Sequence, residues 1–128
     1  MTAAGATAGQ LERPATAQWV EVCRVGDLEV ERGRAALLDD DQVALFLTSA
    51  GEVHAVSNLD PYSGANVIAR GIVGTRGDAA TVASPMFKQV FDLRTGACLE
   101  THGKPSSALR VWPTTIDGDR VLLQVAGS

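Results

Sequence analysis

The segment SPMFKQVFDLRTG, residues 84–96, is the most informative part of the chain. Its first half has the composition of a proline-containing loop, and its second half is a short β-rich run that ends in a Thr95-Gly96 turn. A longer segment without strand character, SNLDPYSGANVIARG (57–71), precedes it. Long loops in a compact β domain usually carry function or are covered by another part of the molecule. The two segments are therefore the candidate functional site.

The rest of the chain is a succession of β-rich runs separated by turn signals. In QVALFLTSAGEVHAVSN two such runs flank Ser49–Gly51, and the final run pair surrounds Asp117-Gly118. No stretch has the 3.6-residue apolar period of a helix, and PYSGANVIARG predicts one helical turn at most. The pattern predicts an all-β fold, an antiparallel β sandwich or pair of small barrels, with the two loops at one end.

Composition predicts one soluble globular domain. The chain has 128 residues, of which 45% are hydrophobic and 20% charged. We expect a disordered N-terminal tail over residues 1–17 and a single domain over 18–128. No apolar run approaches the ~20 residues that a membrane span requires, and the N-terminus lacks the basic start and apolar stretch of a secretory signal. We therefore expect a cytoplasmic protein with no membrane partner.

Charge and cysteine content exclude further classes. The formal net charge is −4, and six acidic residues lie within 27–41, so we expect no nucleic-acid partner, because phosphates require a basic surface. The acidic Asp39-Asp40-Asp41 run predicts a solvated hairpin turn, with a docking patch for a basic partner as the alternative. Cys23 and Cys98 are too few for a disulfide framework, and we expect two unpaired thiols.

The order NLDP, loop, GIV, then VASPMFKQVFDLRTGACL resembles the Rieske iron–sulfur domain. Ordinary members carry Cys-x-His in the first loop and Cys-x-x-His in the second, because the cluster needs two thiolates on one iron and two imidazoles on the other. The resemblance places Asn58 and Asp60 at the first pair and Ser84 and Phe87 at the second. None of the four is Cys or His, so we expect no metal in this chain.

One branch of the family shares this loss of ligands. The stretches WVEVC, NLDPYSGANVIARGIVG and SPMFKQVFDLRTGACLE resemble the small subunits of cytoplasmic NAD(P)H-dependent nitrite reductases. The resemblance implies a non-catalytic accessory chain without a cofactor. Its partner would be a large subunit that carries FAD, an iron–sulfur cluster and siroheme and reduces nitrite to ammonia. The alternatives are a Rieske-type ferredoxin electron carrier with an atypical centre and a scaffold module of another reductase or oxygenase.

Residues at the former ligand positions need another role in such a chain. Asn58, Asp60 and Ser84 can serve as hydrogen-bonding struts, or they can contact a partner directly. Asp60 is followed by proline, and Asp commonly accepts a hydrogen bond from the backbone two residues on. Met86 and Phe87 can pack where the metal would sit.

The tips of the two loops form the candidate partner-binding surface. By the resemblance, Pro61, Tyr62, Met86 and Lys88 lie at the end of the domain where Rieske proteins meet redox partners, and Met and Tyr are favoured in interface cores. The alternative for Tyr62 and Phe87 is that they close the small hydrophobic core. Lys88 is either an unengaged surface charge or part of a salt bridge that joins the loop ends.

Overall fold

The computed structural model describes residues 17–126. Within them the chain forms eleven strands and two short 3-10 turns, Val25–Asp27 and Ile68–Arg70. The tail predicted for residues 1–17 lies outside the described residues, apart from Ala17, with which the first strand begins. The strands are β1 (Ala17–Arg24), β2 (Gly33–Leu38), β3 (Asp41–Leu47), β4 (Val53–Ser57), β5 (Ile72–Arg76), β6 (Ala79–Ala83), β7 (Val90–Asp92), β8 (Cys98–Glu100), β9 (Val111–Trp112), β10 (Thr114–Asp117) and β11 (Arg120–Ala126).

The strands pair antiparallel in three sheets. Sheet 1 has the order β1-β11-β10, sheet 2 the order β2-β3-β4-β9, and sheet 3 the order β5-β6-β7-β8. The predicted all-β class is confirmed. Pro113 lies between β9 and β10, where the chain passes from the edge of sheet 2 to the edge of sheet 1, because proline has no N–H to donate to a ladder.

The central part of β3, in sheet 2, is buried on both faces. Val43 and Leu45 of β3 belong to one hydrophobic cluster, which also contains Val121 and Leu123 of β11. Ala44 and Phe46 belong to a second cluster, which contains Val82 and Phe91 of sheet 3. The continuous apolar run VALF is fully buried because alternate side chains of a strand enter opposite faces. Sheet 2 therefore joins sheet 1 to sheet 3.

The predicted hairpin turns are present. Gly51 (φ +86°) and Gly118 (φ +65°) supply the left-handed conformation that tight turns need. The acidic run forms the solvent-exposed turn between β2 and β3, where Leu38 pairs with Asp41. Cys23 and Cys98 are free thiols, as predicted. In the stretch from 17 to 126, no helix has the length and apolar character needed to cross a membrane.

Candidate functional site: the loop end

Three loops meet at one end of sheet 3. Ile72 pairs with Ala83, and Val90 pairs with Glu100, so neighbouring strands deliver their loops to the same place. We call this region the loop end. It consists of the first loop (residues 58–71, between β4 and β5), the second loop (84–89, between β6 and β7) and the third loop (101–110, between β8 and β9).

A buried hydrogen bond joins the first and second loops. The Ser84 hydroxyl donates to Asp60 Oδ2 over 2.6 Å, and both residues are 0% exposed. The second carboxylate oxygen, Oδ1, accepts from the Tyr62 backbone N–H at 2.9 Å, which is the Asp turn predicted from the sequence. Ser84 Oγ in turn accepts from the Met86 N–H at 3.2 Å. The two loops are thus fixed to each other by side chains of their own.

Asn58 fixes the base of the first loop. Its amide nitrogen donates to Gln42 Oε1 at 3.0 Å and to the Asn66 carbonyl at 3.2 Å. Its side-chain oxygen accepts from the Ala69 N–H at 2.7 Å. The amide both donates and accepts, which neither a carboxylate nor a hydrocarbon side chain of this size can do. The hydrogen-bonding role predicted for Asn58, Asp60 and Ser84 is therefore present in the structure.

Tyr62 joins the first loop to the third. Its hydroxyl donates to the Pro105 carbonyl at 2.8 Å and accepts from the Ser107 N–H at 2.9 Å. Its ring lies 6.1 Å from that of Phe91, centroid to centroid, at 44°. Burial raises the pKa of Tyr62 above its ordinary value, and the hydrogen bond to Cys98 acts in the same direction. Tyr62 thus closes the core beneath the loop end, one of the two roles considered for it.

The third loop was not identified as part of the site from the sequence. It is tied to the second loop by the buried Gln89, whose Nε2 donates to the Thr101 carbonyl at 3.4 Å. His102 Nε2 donates to the Lys88 carbonyl at 2.9 Å. The available signal was the run HGKPSS, which is a third segment without strand character between two β-rich runs.

Met86 and Phe87 are not buried at the place of the metal, which was one of the roles considered for them. Their side chains are 48% and 51% exposed. Two backbone hydrogen bonds explain this, because Ser84 N–H donates to the Gln89 carbonyl at 2.9 Å and Lys88 N–H donates to the Ser84 carbonyl at 3.1 Å. These bonds close the second loop into a tight turn, and the residues at its apex project into solvent. Phe87 therefore does not close the core.

Lys88 also lies at the exposed apex of the second loop. Among the described residues it forms no ion pair, and its Nζ contacts the Pro85 carbonyl at 3.4 Å. The salt bridge considered for Lys88 is therefore not part of the described structure. Pro61 is exposed at the tip of the first loop.

Comparison with known families decides how this arrangement is classified. Residues 18–124 match the family described as the Rieske-like [2Fe-2S] domain. The chain belongs to this family. The match spans all three sheets and all three loops of the loop end.

In this Rieske-like domain the donor set does not fit a [2Fe-2S] cluster. Such a cluster is held by Cys thiolates, or by two Cys and two His in Rieske centres. Asp60 and Ser84 hydrogen-bond to each other, Asn58 is engaged with three partners, and Phe87 faces solvent without a lone pair to offer. A 2.6 Å hydrogen bond between Ser84 and Asp60 joins the two loops at two of the former ligand positions.

Relatives of this Rieske-like domain include small subunits of nitrite reductase. The chain is 40% identical over 84 residues to the nitrite reductase (NADH) small subunit of Escherichia coli K12, a match that covers 65% of this chain and 78% of that protein. A crystal structure of a Mycobacterium tuberculosis protein, assigned as the small subunit of an NADH-dependent nitrite reductase, superimposes with a TM-score of 0.79 at 41% identity. That superposition covers 88% of this chain and 98% of the other.

A third relative is much longer than this chain. The chain is 34% identical over 103 residues to the nitrite reductase [NAD(P)H] large subunit of Klebsiella oxytoca, which covers 80% of this chain and 10% of that protein. One stretch of that large subunit is therefore similar to nearly the whole domain described here.

Proposed function

We propose that this chain is the small subunit of a cytoplasmic NAD(P)H-dependent nitrite reductase and that it acts as an accessory chain without a cofactor or catalytic residues. The observation that carries the proposal is the Asp60–Ser84 hydrogen bond, which closes the loops where a cluster would be held. The similarity to nitrite reductase small subunits over most of their length supports the assignment to this enzyme. The chain is then part of an oxidoreductase whose chemistry takes place elsewhere.

The partner in this proposal is the large subunit of the same enzyme. In the Klebsiella oxytoca relative, a stretch similar to this chain and the large subunit are one polypeptide. Sequences that are fused in one protein are reasonable binding partners when they occur as separate chains. By the family resemblance, the large subunit holds FAD, an iron–sulfur cluster and siroheme and reduces nitrite to ammonia, so the small subunit would support its folding, assembly or activity.

The surface that we assign to the large subunit is the exposed tip of the loop end. Leu59, Met86 and Phe87 are 46%, 48% and 51% exposed there, and Pro61 lies beside Leu59 at the tip of the first loop. Aromatic residues and Met are enriched in interface cores, and exposed apolar side chains at one end of a domain favour an interaction site there. Tyr62 remains a candidate contact, and its hydrogen bonds to the third loop hold this tip in place.

The buried hydrogen bonds of the loop end make the tip suitable for binding. Association costs conformational entropy whenever loops must be ordered at the interface. Asp60, Ser84 and Tyr62 order the loops before any partner arrives, because each makes hydrogen bonds in the isolated chain. In ordinary members of the family the cluster would hold the loops, and here side chains do so.

Co-expression with the large subunit tests the proposal. We expect the two chains to co-purify, and we expect NAD(P)H-dependent nitrite reduction to fall or the large subunit to become less stable when the small chain is omitted. The same complex formation and activity without this chain would refute the accessory role.

Iron analysis of the small subunit purified alone tests the absence of a cluster. We expect no stoichiometric iron and no visible absorption bands. Iron near about two atoms per chain together with visible bands would favour the electron-carrier alternative.

A further inference from the structure

The chain contains only two lysines, Lys88 and Lys104, and both lie at the loop end. Eleven of its residues are Lys or Arg, and the remaining nine are arginines. In an acidic chain with a formal net charge of −4, the position of the two lysines is a distinctive feature. The antiparallel pairing of β7 with β8 brings them to this place, because the two lysines lie on either side of this strand pair, sixteen positions apart.

Register and hydrogen bonding place the two lysines on neighbouring loops. Val90 pairs with Glu100 across β7 and β8, and continuing this register by two residues sets Lys88 opposite His102. His102 Nε2 donates to the Lys88 carbonyl at 2.9 Å, which confirms the juxtaposition. Lys104 follows in a turn whose backbone N–H donates to the Thr101 carbonyl at 3.2 Å.

Neither lysine has an anionic partner in the described part of the chain. Six side-chain pairs of Arg with Asp or Glu occur between residues 17 and 126, and none of them involves a lysine. Lys88, His102 and Lys104 are exposed. Asp60, the one acidic residue within the three loops, is 0% exposed and engaged by Ser84. The two ammonium groups are therefore available to an external anion.

We infer that Lys88 and Lys104 form a cationic rim beside the apolar tip and that this rim engages carboxylate side chains on the large subunit. The inference rests on the proposed function and specifies the chemistry of the partner surface, namely an apolar depression for Met86 and Phe87 bordered by Asp or Glu. An apolar centre with a charged rim is the usual organisation of a protein interface. Rim charges mainly set the association rate and its dependence on salt.

Net charge alone predicts that this chain is repelled by an acidic partner surface. A chain of charge −4 is repelled overall by an acidic surface, so attraction requires that the local charge at the loop end dominates the encounter. At about 0.1 M ionic strength the Debye length is about 10 Å, and charges farther away than this are largely screened.

The test compares two variants that each remove two positive charges. K88Q/K104Q removes the rim. R34Q/R94Q is the matched control, because Arg34 and Arg94 are exposed and lie outside the three loops of the loop end. Arg34 pairs with Leu45 in the part of β2 near the β3–β4 turn, and Arg94 lines a cleft with that turn. Circular dichroism and thermal unfolding establish that both variants are folded.

Binding to the purified large subunit is measured as a function of salt. We expect K88Q/K104Q to lower the association rate about threefold to tenfold at low ionic strength, and we expect the difference to vanish near 1 M salt, where the Debye length is about 3 Å. R34Q/R94Q is expected to bind like the wild type. Equal rates for the two variants would overturn the inference while leaving the accessory role intact, whereas a wild-type chain that does not bind overturns both.

Zero-length crosslinking with a carbodiimide identifies the partner groups directly, because it joins amines to carboxylates in contact. The amines of this chain are the two lysines and the α-amino group. We expect crosslinks from Lys88 or Lys104 to Asp or Glu of the large subunit. The inference would be contradicted if the lysines crosslink only to a second copy of this chain. It would also be contradicted if the complex forms normally but neither lysine is crosslinked.

Discussion

Replacing Ser84 by Ala removes the hydrogen bond that joins the first and second loops without adding any atoms. The Ser84 hydroxyl donates to Asp60 Oδ2 at 2.6 Å and accepts from the Met86 N–H at 3.2 Å. The Met86 N–H belongs to an exposed residue, so a water molecule can replace the Ser84 oxygen as its acceptor. Asp60 is 0% exposed, so water does not reach its Oδ2, and this buried carboxylate oxygen is left without a hydrogen-bond partner.

The expected cost follows from this asymmetry. Hydrogen bonds to charged groups contribute about 1.5–3 kcal/mol, and an unsatisfied buried group costs a similar amount. We expect S84A to lower the free energy of unfolding by about 2–3 kcal/mol. For a domain of this size, each kcal/mol corresponds to about 4 °C, so the melting temperature should fall by about 8–12 °C.

Urea and thermal unfolding followed by tryptophan fluorescence measure this loss. The matched control is S63A in the same first loop, where the hydroxyl accepts only a local hydrogen bond from the Ala65 N–H at 3.3 Å. Its expected loss is about 0.5 kcal/mol or less. A double-mutant cycle with D60N adds a second criterion, because removing the charge of Asp60 should relieve part of the cost of S84A by about 1 kcal/mol.

The reasoning would be refuted by two results. If S84A and S63A destabilise the domain equally, the Asp60–Ser84 bond does not hold the loops together. If S84A and D60N are additive, the loss comes from packing around residue 84 rather than from the orphaned carboxylate oxygen.

Three further predictions concern other features of the loop end. Tyr62 is the only tyrosine in the chain, so absorbance near 295 nm at alkaline pH reports it alone. Because burial raises its pKa in the folded state, the stability that Tyr62 contributes should be complete below about pH 10 and should be lost as the pH rises through the pKa of the folded state. A pKa in the native protein at or below that of the urea-unfolded chain would contradict this. Lys88 has a φ of +67°, so K88G should raise the free energy of unfolding by about 0.5–1 kcal/mol. The same variant should associate more slowly with the large subunit, and a lower melting temperature would show instead that the slower association comes from unfolding. A Cβ at Gly96 (φ +79°) would lie 2.1 Å from the Leu109 carbonyl oxygen, so G96A should lower the free energy of unfolding by more than about 3 kcal/mol. Gly77 (φ +57°) faces open space, so G77A should lower it by about 1 kcal/mol. Similar urea midpoints for the two variants would show that the close approach of the third loop is unimportant.

Local patterns in the sequence determined the strands, the turns and part of the site. The run VALF, with apolar residues at four successive positions, indicates a strand buried on both faces, because such a strand has no solvent-facing side. Asp60 followed by proline predicts a side-chain turn, since the carboxylate needs only the backbone two residues away. The absence of Cys and His from the first and second loops predicts the loss of cluster ligation from ligand chemistry alone.

Only the tertiary structure decided which residues of the loop end face solvent and which of its loops contact each other. The sequence gives no indication that Phe87 faces solvent, because its exposure depends on how the turn of residues 84–89 sits on sheet 3. Tyr62 and the third loop meet across 43 residues, and Lys88 and His102 across 14. Contacts at such separations arise from strand order and register, which residue-by-residue patterns do not encode. Exposure and long-range contact are therefore properties of the folded chain, whereas turns and ligand chemistry belong to the segment that carries them.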